Sequence, residues 1–131
     1  RWMRIYIPER LRTERAPKGI KTPWLKGRAT KWMVVRDWWV CIDGVWFLVP
    51  AGYIFNGSSI PWWLWWLFPP SFAPAWEASA LHDWFYSHLY HQVSKTFADA
   101  AFRAVMLYDD APEVVANVFH AAVSRFGKGG W

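Results

Sequence analysis

The segment 75–93 constrains the fold most, because it contains neither glycine nor proline and is rich in Ala, Leu, Trp and Phe. Such a segment predicts a buried helix. It nevertheless carries His82, Asp83 and Tyr86, and polar groups in apolar surroundings must find partners or lose several kcal/mol to desolvation. At about 100° per residue, His82 and Tyr86 lie about 40° apart on one helix face, with Asp83 on the flank. This geometry fits either a functional site or a structural hydrogen-bond cluster.

Asp43-Gly44 predicts a β-hairpin, since it lies between two runs rich in β-branched and aromatic residues, 31–42 and 45–50. Both central residues of a type I′ turn need positive φ, which this dipeptide tolerates. Before the hairpin, residues 1–7 alternate like a short edge strand. The charges, prolines and glycines of residues 9–31 are typical of an irregular basic arm.

Four helices are predicted after the hairpin and a glycine-containing loop, at 62–68, about 74–91, 95–110 and 112–126. Ser94 is expected to cap the third helix and Gly127 to close the fourth. In the fourth helix Val114, Val118, Ala121 and Ala122 keep helical spacing. The tail after Gly127 is expected to be loose.

These elements predict an α+β fold: an N-terminal antiparallel β-hairpin or small sheet, a Trp-rich short helix and a C-terminal layer of about three helices. A chain of 131 residues is long enough to bury about two-thirds of its unfolded surface as one domain. Its expected parts are a basic, partly irregular arm (1–31), the hairpin with the glycine-containing loop (32–61) and a helical part (62–127).

The amino-acid composition indicates which kinds of partner to expect. The chain has 13 Trp, and aromatic residues make up 21% of it, so some rings should meet a partner, a ligand or a lipid surface. The net charge of +5, with the excess before residue 37, favours an anionic membrane surface or a protein partner. No nucleic-acid motif accompanies it, and a nucleic-acid partner is not favoured. The sequence shows no signal peptide and no transmembrane run, so we expect a soluble or membrane-peripheral protein.

A His–Asp pair between two helices is the main candidate for chemistry. A short connection near 92–95 would make the second and third helices antiparallel and bring Asp99 beside His82. His82 would then be a general base that Asp99 orients. Asp83 would be available to bind calcium with the loop residues Asn56 and Gly57. The alternative is a hydrogen-bond cluster that only joins two helices.

Other polar residues are weaker candidates. His88 and His91 lie about 120° and about 180° from His82 around the helix, which predicts surface histidines and not metal ligands. Ser58 or Ser59 is expected to cap a helix and not to act as a nucleophile. Cys41 is expected to be a packed thiol, and as the lone cysteine it excludes an internal disulfide.

The Trp-rich helix offers a contact surface, because Trp62, Trp63, Trp65 and Trp66 fall within five positions and cannot all face inward. It would serve either as a foot at a membrane interface or partner, or as a lid over a small core. The sequence leaves both open.

Five blocks in order resemble a phage and prophage family, the domain of unknown function thirteen-fifty-three. They are 49–53, Asn56-Gly-Ser-Ser-Ile-Pro61, Leu81-His-Asp-Trp-Phe-Tyr86, Ala98-Asp99-x-x-Phe102-x-x-x-Met106 and Val123-x-Arg125-Phe-Gly127. The resemblance covers about Trp32 to Gly127 and implies a phage origin, in the phage particle or the infected bacterial cell. It brings no established activity. Family members usually have Asp at the place of Asn56, which would weaken a metal site here.

A second, local resemblance is to phospholipases A2 of the bacterial, fungal and parvoviral kinds. Their His-Asp-x-x-Tyr looks like His82, Asp83 and Tyr86, and their Ala-Asp-x-x-Phe looks like Ala98-Asp99-x-x-Phe102. The resemblance implies that His82 activates water, Asp83 holds calcium, and Tyr86 and Asp99 hold the histidine. The disulfides of that family are absent here, and Asn56-Gly57 matches its calcium loop poorly.

The sequence therefore supports two functions. One is a phage-encoded, calcium-dependent hydrolase that cleaves an ester at a membrane surface. The other is a non-catalytic phage structural or host-interaction protein in which the His-Asp-Tyr cluster only stabilises the core. An opening in front of His82, with loop carbonyls within reach of Asp83, would favour the hydrolase.

Overall fold

A computed structural model describes residues 3–25, 30–57, 60–68 and 73–131. Within them the chain forms six strands and four helices. The strands are β1 (Ile5–Tyr6), β2 (Thr13–Arg15), β3 (Trp32–Val34), β4 (Trp38–Ile42), β5 (Val45–Val49) and β6 (Ile54–Phe55). The helices are α1 (Trp62–Leu67), α2 (Ala73–His88), α3 (Lys95–Tyr108) and α4 (Glu113–Phe126). This α+β arrangement confirms the predicted fold class.

The predicted hairpin is present as β4 and β5. Asp43 and Gly44 form its turn with φ of 50° and 84°, as a type I′ turn requires, and Ile42 pairs with Val45. β1 adds to the other side of β4 in antiparallel register. One sheet therefore has the order β1-β4-β5.

A second three-stranded antiparallel sheet has the order β2-β3-β6. It combines a strand of the basic segment, a strand before the hairpin and one after it. The apolar run 31–42 does not form one strand, because it divides into β3 and β4 and the two parts join different sheets. The basic arm is thus irregular only in part.

The helices lie close to their predicted bounds. The Ser94 side chain accepts a hydrogen bond from the Phe97 amide and caps α3, and Gly127 follows α4. α2 ends at His88, earlier than predicted. The predicted caps Ser58 and Ser59 lie outside the described residues.

The core lies between the sheets and the helical layer, and α2 is its centre. Leu81 and Phe85 of α2 are fully buried against residues of both sheets and of α3. In α4 the buried residues are Ala116, Phe119, Ala122 and Val123. Of the helically spaced set noted in the sequence, Val114 and Val118 are exposed, because the inward stripe is the one that starts at Ala116. None of the described helices has the length and apolarity needed to cross a membrane.

The tail is more ordered than predicted. The Gly130 amide donates to the Tyr86 carbonyl at 3.2 Å, and the Trp131 indole N–H donates to the Val93 carbonyl at 3.0 Å. The Trp131 ring packs edge-on against Tyr86. The expectation of a loose tail was therefore wrong, because Trp131 finds both an apolar and a polar partner on α2 and the turn after it.

Candidate functional site

The predicted His–Asp pair is formed between α2 and α3. His82 Nε2 lies 2.7 Å from Asp99 Oδ1, and the Tyr86 hydroxyl donates to the same oxygen at 2.5 Å. Lys95, one turn before Asp99 on α3, donates to Asp99 Oδ2 at 2.8 Å. We call these four residues the His82 cluster. Because a carboxylate can only accept, the Nε2 nitrogen of His82 must carry a proton.

Asp99 is held as an ionised carboxylate. Burial by itself would raise its pKa, but hydrogen bonds from His82, Lys95 and Tyr86 outweigh burial and lower the pKa. Lys95 also donates to the carbonyls of Val123 and Ser124, both at 3.0 Å, so the cluster joins α2, α3 and the end of α4. Burial, followed by the hydrogen bond to Asp99, raises the pKa of Tyr86, which keeps this hydroxyl a donor.

The described part of the chain shows no opening in front of His82. The residue is 0% exposed, and it is not among the described residues that line the cavities. A general base must come within hydrogen-bond reach of the proton it takes. In this conformation substrate and water do not reach His82.

Asp83 and Gly57 come together as predicted, but with the wrong polarity for calcium. The Gly57 amide donates to Asp83 Oδ2 at 2.9 Å, and the Gly57 carbonyl accepts from the Trp65 indole at 3.0 Å. Calcium needs six to eight oxygen ligands, with carbonyls turned towards it. The described residues contain no group of three or more His, Cys, Asp or Glu able to hold a metal. The predicted set of Asp83, Asn56 and Gly57 therefore does not fit calcium as it is arranged.

A cleft of about 520 Å³ opens beside the His82 cluster. One wall is the stripe Asp83, Tyr86, Ser87 and Tyr90, whose i, i+3, i+4, i+7 spacing places them on one face of α2 and of the turn after it. Other walls carry aromatic rings from separate segments: Trp24, Tyr53, Trp62, Trp63 and Phe126. We call this the aromatic cleft. Its volume is within the range of small-molecule sites, about 300–1,000 Å³.

Tyr86 links the aromatic cleft to the His82 cluster. Its side chain lines the cleft, while its hydroxyl reaches Asp99. Beside it, Ser87 Oγ lies 2.8 Å from the Tyr53 hydroxyl and donates to the Asp83 carbonyl at 2.7 Å. The polar groups of the cleft are thus fixed by contacts within α2 and to the loop before β6.

The Trp residues of α1 divide into two pairs. Trp62 and Trp66 are 78% and 77% exposed. Trp63 and Trp65 are partly buried against the core. The helix is therefore both a lid and an exposed aromatic surface, as four Trp in five positions require.

The sequence predicted that His88 and His91 lie at the surface and that Cys41 is a packed thiol. His88 and His91 are exposed, as expected. His88 Nδ1 lies 2.6 Å from Ser87 Oγ, and its ring stacks on Trp84 at 4.7 Å. Burial lowers the pKa of His88. Cys41 is a free, partly buried thiol in β4.

One charged cluster was missed by sequence reasoning. The Arg10 guanidinium lies 3.1 Å from Glu77 Oε1 and 2.7 Å from Asp109 Oδ1. The Leu11 amide donates to Glu77 Oε2 at 2.7 Å. These contacts tie the basic arm to α2 and to the residue after α3. No local sequence pattern predicts these ion pairs, since the three charged residues are far apart in sequence.

Comparison with protein families matches residues 26–123 to a family described as "Protein of unknown function (DUF1353)". The match covers most of the five-block pattern and confirms the resemblance to this domain family. Searches of curated proteins and of solved structures found no match.

Proposed function

The chain belongs to the DUF1353 family of proteins of unknown function, and we propose from its site that it is a non-catalytic binding protein. Its phage structural or host-interaction character is proposed from the resemblance of the five sequence blocks. In this proposal the His82 cluster stabilises the helical layer, a ligand binds at the aromatic cleft, and Trp66, on the exposed face of α1, contacts a surface beside the cleft without touching the ligand.

The proposal rests on two properties of the His82–Asp99 pair: it is buried, and Asp99 already has hydrogen-bond donors around it. His82 is 0% exposed, and Asp99 already accepts from His82, Tyr86 and Lys95. Such a network stabilises a fold when every member has a partner. It does not present a base to a substrate.

A second candidate is a phospholipase A2-like esterase acting at an anionic membrane surface. Tyr86 favours it, because this side chain lines the aromatic cleft and donates to the oxygen that His82 contacts. A displacement of Tyr86 would expose His82 as base, with Asp99 as its orienter. Trp62 and Trp66 would then rest in the headgroup layer. The arrangement of Asp83 and Gly57 gives this candidate no calcium site.

The experiment compares wild type with His82→Gln for fatty-acid release from mixed phospholipid vesicles, with and without calcium. We expect no release from either protein. His82→Gln should instead lower the free energy of unfolding by about 1 to 3 kcal/mol, because it disturbs a buried hydrogen-bonded group.

His91→Gln is the matched control, because His91 is exposed and its replacement should leave stability within about 0.5 kcal/mol. Release by wild type that His82→Gln abolishes, in a protein still folded by circular dichroism, would overturn the binding proposal. That result would establish the esterase.

A further inference from the structure

The walls of the aromatic cleft are built from segments far apart in sequence. Trp24 and Tyr53 stack on each other, with ring centroids 6.3 Å apart and an interplanar angle of 17°, which leaves no room for a ligand between these two rings. Trp62, Trp63 and Tyr90 line other sides. The face of an aromatic ring carries negative charge density and attracts cations, most strongly for Trp.

Negative charge also converges on the α2 wall. Asp83 is 4% exposed and is the only carboxylate among the described residues that line the cleft. The stripe Asp83, Tyr86, Ser87 approaches the C-terminal end of α2 at His88, where the helix dipole is negative. Burial, with the Asp83 charge adding to it, raises the pKa of Tyr53, so this phenol stays neutral.

The hydrogen bonding of the cleft favours a cation that needs no hydrogen bonds. Asp83 Oδ2 already accepts from the Gly57 amide, and Ser87 Oγ is engaged by Tyr53 and by the Asp83 carbonyl. An ammonium group with N–H bonds would compete for these acceptors. A trimethylammonium group has a full charge, an apolar surface and no N–H, and aromatic cages are the known means of holding such groups.

We propose that the aromatic cleft binds a trimethylammonium group, against the rings of Trp24 and Trp62 and near the Asp83 charge. The inference rests on the proposed function, in that the cleft and not the His82 cluster is the site of action. Lys128, which also lines the cleft, would meet a phosphate on the same ligand. The ligand chemistry is therefore that of phosphocholine, whether free or as the headgroup of a phospholipid.

Calorimetric titration with choline, phosphocholine and 3,3-dimethyl-1-butanol tests the chemistry. The butanol has the shape of choline without its charge. We expect choline and phosphocholine to bind, and the neutral analogue to bind at least about tenfold more weakly, as a desolvated cation–π contact predicts. Equal binding of the charged and neutral compounds, or no binding of choline, would overturn the proposal.

Two Trp variants provide the matched pair. Trp62 and Trp66 are equally exposed on α1, at 78% and 77%, but of the two Trp62 lines the cleft. Trp62→Ala should weaken phosphocholine binding about tenfold, whereas Trp66→Ala should leave it within about twofold. An equal effect of both variants would contradict the placement of the ligand.

Asp83→Asn tests the charge without changing the shape. Asn can still accept the Gly57 amide hydrogen bond, so the loop contact is kept. We expect weaker binding of choline and unchanged binding of the neutral analogue. Unchanged choline binding in a folded Asp83→Asn protein would refute the role of the carboxylate.

Phosphatidylcholine vesicles distinguish the two sources of the ligand. Vesicle binding that soluble phosphocholine competes away assigns the headgroup as the ligand, and Trp66→Ala should then weaken vesicle binding alone. Soluble binding without vesicle binding assigns the free compound. If choline does not bind, this inference is wrong, but the proposal that the His82 cluster is non-catalytic is unaffected. If lipid cleavage depends on His82, the proposed function is wrong, but the proposed ligand of the cleft is unaffected.

Discussion

Replacing Asp109 by Asn should remove most of the pH dependence of stability between about pH 5 and about pH 8. Asp109 and Glu77 are two carboxylates that share the Arg10 guanidinium, and their side chains are 3% and 7% exposed. Asp109 Oδ2 is buried without a hydrogen-bond partner among the described residues. Burial, followed by the Glu77 carboxylate, raises the pKa of Asp109 from 3.8 to about 7, against the lowering effect of Arg10.

The sign of the effect follows from the raised pKa. The folded protein holds the Asp109 proton more tightly than the unfolded chain, so the stabilisation is complete below the unfolded pKa of 3.8 and is lost as pH rises through about 7. The two pKa values taken at face value give a loss of about 2.5 kcal/mol between about pH 5 and about pH 8. The Glu77–Asp109 repulsion acts beside the Arg10 side chain, which is 71% exposed, and solvent screening of that repulsion reduces the expected loss to about 1 to 2 kcal/mol.

The assay is urea unfolding followed by Trp fluorescence and circular dichroism across this pH range. Wild type should lose stability with rising pH, and Asp109→Asn should be nearly flat and more stable than wild type at the alkaline end, since its amide can donate to Glu77. Asp110→Asn is the control. It removes the same charge from the next residue, which is exposed and has a φ of 67° that Asn tolerates. Parallel pH profiles for wild type and Asp109→Asn would refute the reasoning.

Three further variants test other contacts by the same unfolding measurement. Tyr86→Phe removes the donor to Asp99 and should cost about 1 to 2 kcal/mol; a neutral result would mean that the contact contributes nothing. Gly57→Ala places a side chain at a φ of +72° with its Cβ 2.9 Å from the Trp65 ring and should cost at least about 1 kcal/mol, together with a change in Trp fluorescence. Ser94→Ala removes the α3 cap and should cost about 1 kcal/mol, whereas Ser94→Asp should keep most of the stability.

Local patterns predicted those elements whose determinants lie close together in sequence. The hairpin turn needed only Asp43 and Gly44 between two apolar runs, and the start of α3 needed only Ser94. The second sheet was missed because its strands have two or three residues, too few to show alternation. Its pairing joins Arg15 to Trp32 and Trp32 to Phe55, which no single stretch of sequence specifies.

Some contacts of the candidate site could likewise be predicted from local sequence and others could not. Helix spacing and an antiparallel helix pair were enough to bring His82, Tyr86 and Asp99 together. Lys95 was overlooked although its position four residues before Asp99 is a recognised ion-pair spacing. The orientation of the Gly57 peptide, whose amide faces Asp83 and whose carbonyl accepts from the Trp65 indole, could not be inferred from the residue types. The aromatic cleft needs five separate segments in place before it exists.

The pairing of β1 with β4 has a consequence for folding during synthesis. Ile5 and Tyr6 pair with Ile42 and Cys41, and the Ile7 amide and carbonyl both contact the Tyr108 hydroxyl, at 3.3 and 3.4 Å. A ribosome produces these residues before their partners in β4 and α3. Since non-local contacts form slowly and wait for both partners, we expect β1 to leave the ribosome before those partners but to find its place late in folding.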